Sequence, residues 1–365
     1  MSTPLRAGLI GAGFIGSVHA HAIRSSGARL TRVSNSTPER SAEAAQRLGA
    51  LAPAESAEAL IASDDVDVVH ICTPNVTHAA LAEKAIAAGK SVVCEKPLAT
   101  SVADADRLVA LAEQAGVVAA VPFVYRYYPT VREVRARVAD GDAGRLWLLH
   151  GSYLQDWLAG SAETNWRVDP AQGGGSRAFG DIGVHWCDLM EFATGHRIKR
   201  LVARTSQAYA ERPTSDGVRP VGTEDGATLL FETDRGATGT LVASQVSLGR
   251  KNRLWFSFDG TEASYVFDQE NPDALWIGGR RENRVVPRGP DTLASAQGRA
   301  YSRLPAGHPQ GYQDCFNAFV ADVYATIGGE RPDGVPTFTD GRRAAVITEA
   351  VIDSAKNESW MEVPA

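Results

Sequence analysis

From Leu5 to Val124, short apolar runs alternate with alanine-rich stretches whose apolar positions recur at helical spacing. The pattern predicts strands near Leu5–Ile10, Leu30–Val33, Val66–Cys72, Ser91–Cys94 and Val117–Phe123. Between them it predicts helices from Phe14, from Pro38, over Val76–Ala88 and over Ser101–Ala115. Pro38 suits a first helical turn, and Gly89 and Gly116 suit helix stops. Strands alternating with helices through short connections imply a parallel, doubly wound α/β sheet, because each crossover must return a helix over the sheet.

After Tyr125-Arg126-Tyr127-Tyr128-Pro129 the periodicity changes. A helix is predicted near Thr130–Val138, and strands dominate from there to about Pro287. Asp234-Arg235-Gly236 and Asp259-Gly260 each separate two apolar runs, so both read as hairpin turns, the second as a type I′ turn. Leu254, Phe256 and Phe258 alternate with Trp255, Ser257 and Asp259, the pattern of an antiparallel sheet packed on one face. Ser206–Gly226 and Arg288–Gly311 are aperiodic and read as long surface loops, with helices following near Tyr312–Ile327 and Asp340–Ser354. The expected organisation is a doubly wound α/β domain over 1–124 and an α+β domain over 125–365.

Composition narrows the class without naming a reaction. A chain of 365 residues fits two domains, and a net charge of -6 with 22% charged residues is that of an ordinary globular protein. No basic block suggests nucleic acid or an anionic membrane as partner. Cys72, Cys94, Cys187 and Cys315 are far apart and form no CxxC pair, so they read as buried thiols of a reducing compartment. The first residues lack a twin arginine and a long apolar run, so a cytoplasmic location is expected.

The chemistry begins at Gly11-Ala12-Gly13-Phe14-Ile15-Gly16, which follows a predicted strand and opens a predicted helix. In that context the first glycine allows the tight turn, the second lets backbone approach a pyrophosphate, and the third lets helix and strand pack closely. The next strand ends in Val33-Ser34-Asn35-Ser36-Thr37-Pro38-Glu39-Arg40, without the acid that would bond an adenosine ribose at its tip. Asn35 can bond a ribose hydroxyl, whereas Ser36, Thr37 and Arg40 can hold a 2′-phosphate; Arg40 also reads as a solvated helix arginine, and NAD and NADP both stay open. Glu95-Lys96-Pro97 closes another apolar strand, which puts Lys96 at the strand end where ligands bind in such sheets. Asp181 and His185 are four apart in Gly180-Asp181-Ile182-Gly183-Val184-His185-Trp186 and share a face if that segment is helical. A histidine there can take a hydroxyl proton with a carboxylate orienting it; the competing reading is a capping Asp181 and a core His185. No recognisable second ligand pair supports a metal.

Together, the Gly11 motif, Thr73-Pro74-Asn75, Glu95-Lys96-Pro97 and Asp181 with His185 resemble the glucose-fructose oxidoreductase/inositol dehydrogenase (Gfo/Idh/MocA) family across nearly the whole chain, down to Phe338-Thr339-Asp340-Gly341 and Trp360. The resemblance implies a Rossmann domain and then a domain with a large open, mostly antiparallel sheet used for homodimer or homotetramer contacts, with a C-terminal helix packing back near the Rossmann domain. It implies cofactor contacts from Gly11, Gly13, Phe14, Ile15, Gly16, Ser34, Asn35, Ser36, Thr37, Arg40, Thr73, Pro74, Asn75, His78, Glu95 and Lys96. It implies catalytic roles for Lys96, Asp181 and His185, and a Lys96-Pro97 peptide that can be cis.

Within the family, Gly151–Trp157, Asn165-Trp166-Arg167 and Asp181–Trp186 are similar to bacterial sugar 3-dehydrogenases. By that likeness Tyr125, Gln155, Trp157, Arg167 and Tyr312, with Asp181 and His185, become substrate contacts for a sugar, anhydrosugar, glycoside or cyclitol. An indole suits the apolar face of a pyranose, and amide, guanidinium and phenol groups suit its hydroxyls; core packing and a surface ion pair are the competing readings. The expected activity is NAD(P)-dependent oxidation of a secondary hydroxyl. A redox-neutral NAD-dependent glycosidase and a non-catalytic NAD(P) sensor are the alternatives.

Overall fold

The alternating runs of the N-terminal third become a parallel sheet in the computed structural model, which describes residues 4–214 and 217–365. Met1–Thr3, read above for a leader, and Ser215–Asp216, inside the expected 206–226 loop, lie outside the described residues. The chain divides into two units, Met1–Val124 with Tyr312–Ala345 and Tyr125–Gly311 with Val346–Ala365.

In the first unit, strands β1 (Arg6–Ile10), β2 (Arg29–Ser34), β3 (Ala52–Pro53), β4 (Val68–Ile71), β5 (Ser91–Cys94) and β6 (Ala119–Ala120) form a six-stranded sheet in the order β3-β2-β1-β4-β5-β6. Every pairing is parallel. The crossovers are helices α1 (Phe14–Ser25), α2 (Pro38–Leu48), α3 (Ala57–Ile61), α4 (His78–Ala87) and α5 (Val102–Ala115). Local chemistry sets their ends: Thr37 caps α2 by accepting from Arg40 N, Pro38 starts it, and Ser101 caps α5. Strand order reverses between β1 and β4, the crevice where doubly wound sheets bind ligands.

Two expectations for this unit change. The two-residue β3 and short α3 went unpredicted because neither is long enough to show a period. The stretch Val117–Phe123 contributes only Ala119–Ala120 to the sheet, since Pro122 has no N–H and Val121 N turns instead to Pro336 O at 3.2 Å. Tyr312–Ala345 completes the unit. Its helix Tyr312–Ile327 lies against α1, where Gln313 Nε2 donates to Val18 O at 3.2 Å and the Phe316 ring meets His19 at 5.0 Å. The next helix, Phe338–Asn357, has its first residues in this unit and its last in the other.

The second unit opens with the helix Pro129–Ala139 and is built on β7 (Leu146–Leu154), β8 (Ile198–Ser206), β9 (Glu211–Thr214), β10 (Gly217–Pro220), β11 (Gly226–Thr233), β12 (Thr238–Ser244), β13 (Arg253–Gly260), β14 (Ser264–Asp268), β15 (Ala274–Gly278), β16 (Asn283–Pro287) and β17 (Met361–Glu362). Nine of these form one sheet, β16-β15-β14-β13-β7-β12-β11-β8-β17. Only β12 with β7 is parallel. Leu254, Phe256 and Phe258 are fully buried on its packed face, as their alternation required.

Both hairpins form, but one turn is relocated. Asp259 and Gly260 belong to β13, and the chain reverses at Thr261–Glu262. Gly260 is needed elsewhere: a Cβ on it would stand 2.0 Å from Ala143 O, so the glycine serves a close backbone approach at a register shift. The two expected loops are also more ordered than predicted. In the first, β9 and β10 pair around the buried Arg212, whose guanidinium donates to Leu158 O at 2.7 Å and to Gly160 O and Glu163 O at 2.8 Å. In the second, buried Arg288 donates to Asp273 Oδ1 at 2.7 Å and Gln310 Oε1 at 3.0 Å, and a helix forms over Ala296–Tyr301. Both are organised by a buried guanidinium satisfying carbonyls, which leaves no hydrophobic period in the sequence.

Candidate functional site

At the carboxyl end of β1, Gly11 has φ +91, and a Cβ there would stand 2.5 Å from Cys72 O. Gly16 is equally constrained, since its Cβ would lie 2.2 Å from Gly11 O. Gly13 differs: it is exposed, and a Cβ on it would meet nothing within 4 Å. No packing demand of the protein accounts for Gly13, whereas close approach by a ligand's phosphates does. The α1 N-terminus beside it has no side-chain cap and no acid in its first turn, so its free N–H groups suit a pyrophosphate. Phe14 is exposed here and Ile15 partly so. The sequence reading passed over Arg47 on α2, which braces this turn by donating to Ala12 O at 2.6 Å and Ser17 Oγ at 2.9 Å.

At the end of β2, Ser34 is buried and Asn35 Oδ1 accepts from Ser36 N at 2.9 Å, while Arg40 donates to Ser36 Oγ at 3.1 Å. Ser36, Thr37 and Arg40 are exposed, so hydroxyls and a guanidinium edge the place where an acid would exclude a 2′-phosphate. Thr73, Pro74 and Asn75 follow β4 and are partly exposed. His78 is buried behind them, its ring nitrogens 2.9 Å from Thr73 O and 2.8 Å from Pro97 O. It therefore ties the loop after β4 to the loop after β5 rather than presenting its ring outward. Burial holds its pKa below the usual value although both carbonyls oppose this, so the neutral ring donates to one of them.

Glu95-Lys96-Pro97 leaves β5 with a cis Lys96-Pro97 peptide. Lys96 is partly exposed, and its backbone N donates to Glu95 Oε2 at 3.1 Å. Glu95 is buried, and its other oxygen faces His19 Nε2 at 3.1 Å. Burial first, and then the Glu95 charge, push the thiols of Cys72 and Cys94 well up, so both stay protonated. Tyr312, expected among substrate contacts, heads its helix in this unit with its ring against Phe316 at 5.1 Å.

In the second unit, Asp181 lies in a π-helical turn, Phe179–Gly183, and His185 in the α-helix Val184–Thr194. The plain α-helical spacing expected of the pair is thus corrected to a π-turn running into an α-helix, an irregularity common at functional sites. Asp181 caps neither segment. Its Oδ2 accepts from Gln245 Nε2 at 2.7 Å, and its Oδ1 faces Arg167 Nε at 3.5 Å. The helix is pinned to the sheet by Trp186, whose Nε1 donates to Trp255 O at 2.9 Å. Gly151 makes this possible, because a Cβ there would stand 2.3 Å from that indole nitrogen.

His185 is buried, with the Tyr125 ring 5.1 Å away and the Tyr153 ring 6.3 Å away. The two phenols bond each other, and Tyr153 Oη donates to Asn252 Oδ1 at 2.8 Å. Gln155 Nε2 donates to the same oxygen at 2.8 Å, and its Oε1 accepts from Trp157 Nε1 at 2.8 Å. One polar chain thus joins Tyr125, Gln155 and Trp157 through Tyr153 and Asn252, neither of which sequence reasoning selected. Gln245 was also missed. All three act through side chains far away in sequence, which no local spacing announces. Among the described residues no His, Cys, Asp and Glu cluster could hold a metal, and no helix is long and apolar enough to cross a membrane.

Residues 5–123 match the model of an oxidoreductase family, NAD-binding Rossmann fold, and residues 131–266 that of the GFO/IDH/MocA C-terminal domain. Levoglucosan dehydrogenase of Pseudarthrobacter phenanthrenivorans is 32% identical over 390 residues, covering 99% of this chain and 98% of that one. The 1,5-anhydro-D-fructose reductase of Ensifer adhaerens is 31% identical over 365 residues, covering 98% of each. A solved levoglucosan dehydrogenase in complex with NADH and L-sorbose superposes with a TM-score of 0.93 at 31% identity, covering 100% of both chains.

Proposed function

This chain belongs to the GFO/IDH/MocA oxidoreductase family, and from that premise we propose that it oxidises a secondary hydroxyl of a sugar, anhydrosugar, glycoside or cyclitol, or reduces the matching ketone, with NAD(P) as redox partner. The observation that carries the reading is the pairing of a glycine turn left open at Gly13 with Lys96 at the end of β5 in the same unit. Gly11–Gly16 and the α1 N-terminus hold the dinucleotide phosphates, Asn35, Ser36, Thr37 and Arg40 flank its adenosine ribose, and Thr73–Asn75 border it. The bound nicotinamide supplies the hydride acceptor.

Lys96 donates to the reacting oxygen and stabilises its developing alkoxide character, which a neutral donor would do less well. His185 takes the hydroxyl proton as the carbon gives up hydride. Asp181, oriented by Gln245 and Arg167, accepts from a neighbouring hydroxyl of the ring. Gln155, Trp157 and Arg167 bind the rest of the sugar, and pyranose C3 is the carbon we assign. We place the enzyme in the cytoplasm as a homo-oligomer. Leu230 and Val242, exposed on the sheet face opposite buried Leu229 and Leu241, support contact with a second copy through that face.

A panel of monosaccharides, anhydrosugars, glycosides and inositols, run with NAD and with NADP while following reduced nicotinamide, tests the assignment. Nucleotide-dependent reduction on at least one sugar or cyclitol is expected. Saccharide release without net reduced nucleotide would replace the reading with a redox-neutral glycosidase. Tight nucleotide binding with no turnover on any member would replace it with a sensor.

A further inference from the structure

A chain of buried polar groups runs through the first unit from the helix Tyr312–Ile327 to Glu95. Tyr324 Oη lies 2.8 Å from His70 Nε2, His70 Nδ1 lies 2.8 Å from His19 Nδ1, and His19 Nε2 lies 3.1 Å from Glu95 Oε1. His19 and His70 are fully buried, and Tyr324 and Glu95 nearly so. The groups come from α1, β4, the end of β5 and a helix 254 residues beyond β4, so the tertiary fold assembles the chain.

Its direction follows from donor and acceptor arithmetic. The Tyr324 hydroxyl meets no polar partner but His70 among the described residues, so its proton is satisfied only if it donates to His70 Nε2. A neutral His70 then carries its proton on Nδ1 and donates to His19 Nδ1. His19 in turn carries its proton on Nε2 and donates to Glu95. In the reverse direction, His19 Nδ1–H donates to His70 and His70 Nε2–H to the phenol, whose own proton is stranded in the interior. Burial, and next the neighbouring His19, hold the His70 pKa well below the usual value, and burial holds the Tyr324 phenol well above its own. Both tendencies favour the neutral forms of His70 and Tyr324. At its far end the second Glu95 oxygen accepts from the Lys96 backbone N at 3.1 Å.

We propose that Tyr324, His70 and His19 form a one-way hydrogen-bond relay that holds the Glu95 carboxylate in a single orientation against the Lys96 amide, making His70 a positioning residue for Lys96. The catalytic consequence rests on the role given to Lys96 above. The relay itself does not, and the test separates the two.

The first measurement is the tautomer of each ring in the intact protein, read from ¹⁵N shifts of labelled histidine and assigned with His19→Gln and His70→Asn. The expected result is an Nε2–H tautomer at His19 and an Nδ1–H tautomer, the form free imidazole disfavours, at His70. An imidazolium at His19 or an Nε2–H tautomer at His70 overturns the relay, whatever the enzyme's activity.

The second measurement compares His70→Phe, which keeps a ring but donates nothing, with His70→Asn, whose amide can donate from the Nδ1 position. Hydrogen exchange at the Lys96 amide should rise about tenfold in the first variant and return most of the way in the second. On any sugar the wild type oxidises, kcat should fall about tenfold in His70→Phe, with sugar KM and nucleotide affinity within about twofold, and recover in His70→Asn. Wild-type exchange and turnover in His70→Phe would refute the positioning role. If that variant does not fold, Tyr324→Phe replaces it: loss of the Nδ1–H tautomer at His70 supports the relay, and an unchanged tautomer overturns it.

Discussion

At the glycine turn of the first unit the backbone shapes the site: Gly11 and Gly16 allow contacts a Cβ would forbid, and Gly13 leaves room for a ligand. Around His185 in the second unit, side chains do that work, with Tyr125, Tyr153, Asn252, Gln155 and Trp157 joined end to end and Asp181 held by Gln245. A site made by backbone tolerates almost no substitution at its glycines but is indifferent to most neighbours. One made of side chains degrades in steps and can be retuned for another sugar. The first suits a cofactor of fixed shape, the second a variable substrate.

Removing the two side chains that the proposed reaction depends on should give the largest effect. Lys96→Ala and His185→Ala are each expected to lower kcat by about 10²- to 10³-fold while nucleotide affinity holds. Stopped-flow turnover with a parallel nucleotide titration checks this, and wild-type kcat in either variant contradicts the assigned role. Next comes Gly16→Ala, whose Cβ would sit 2.2 Å from Gly11 O. Overpacking of this kind costs about 1–3 kcal/mol, so calorimetry should show a lower Tm together with weaker nucleotide binding. Asn252→Ala leaves the Tyr153 hydroxyl and the Gln155 amide without their shared acceptor. Sugar KM should rise roughly tenfold with nucleotide KM unchanged; equal losses in both would erase the contrast between the regions.

The smallest effect concerns acid stability of the second unit. Burial opposes ionisation of Asp225, but Arg177, followed by the N–H groups of Ala208 and Tyr209, holds its carboxyl below the usual range. A depressed folded value means this contribution is complete above the unfolded pKa and disappears as pH falls through the lower folded one. Chemical denaturation from about pH 6 to about pH 3 should therefore show stability falling only below about pH 4, with a shallower fall in Asp225→Asn. An equal slope in both proteins would remove Asp225 as the cause.

The same contrast explains what could be read from the chain. The glycines and Glu95-Lys96-Pro97 stand at fixed offsets from strands with strong apolar periods, so order and spacing make them legible in the sequence. Asp259-Gly260 misled because glycine serves close approach as well as turns, and only the distance to Ala143 O separates the two uses. The segments around Arg212 and Arg288 looked structureless because buried guanidiniums, not apolar alternation, hold them. His19 and His70 left a faint mark as polar residues within buried runs, yet their partners are separated by 51 to 254 positions. Local periodicity cannot join such positions.

The discontinuity of the first unit has a consequence for how the protein is made. Its sheet strands are all translated by Ala120, but Phe316 and Tyr324, which cover His19 and His70, emerge only after the second unit's 125–311 stretch. On the ribosome, both histidines must wait for these rings while most of the chain is synthesised. A fragment released before the Tyr312–Ile327 helix would carry the glycine fingerprint intact and still be a substrate for chaperones and proteases.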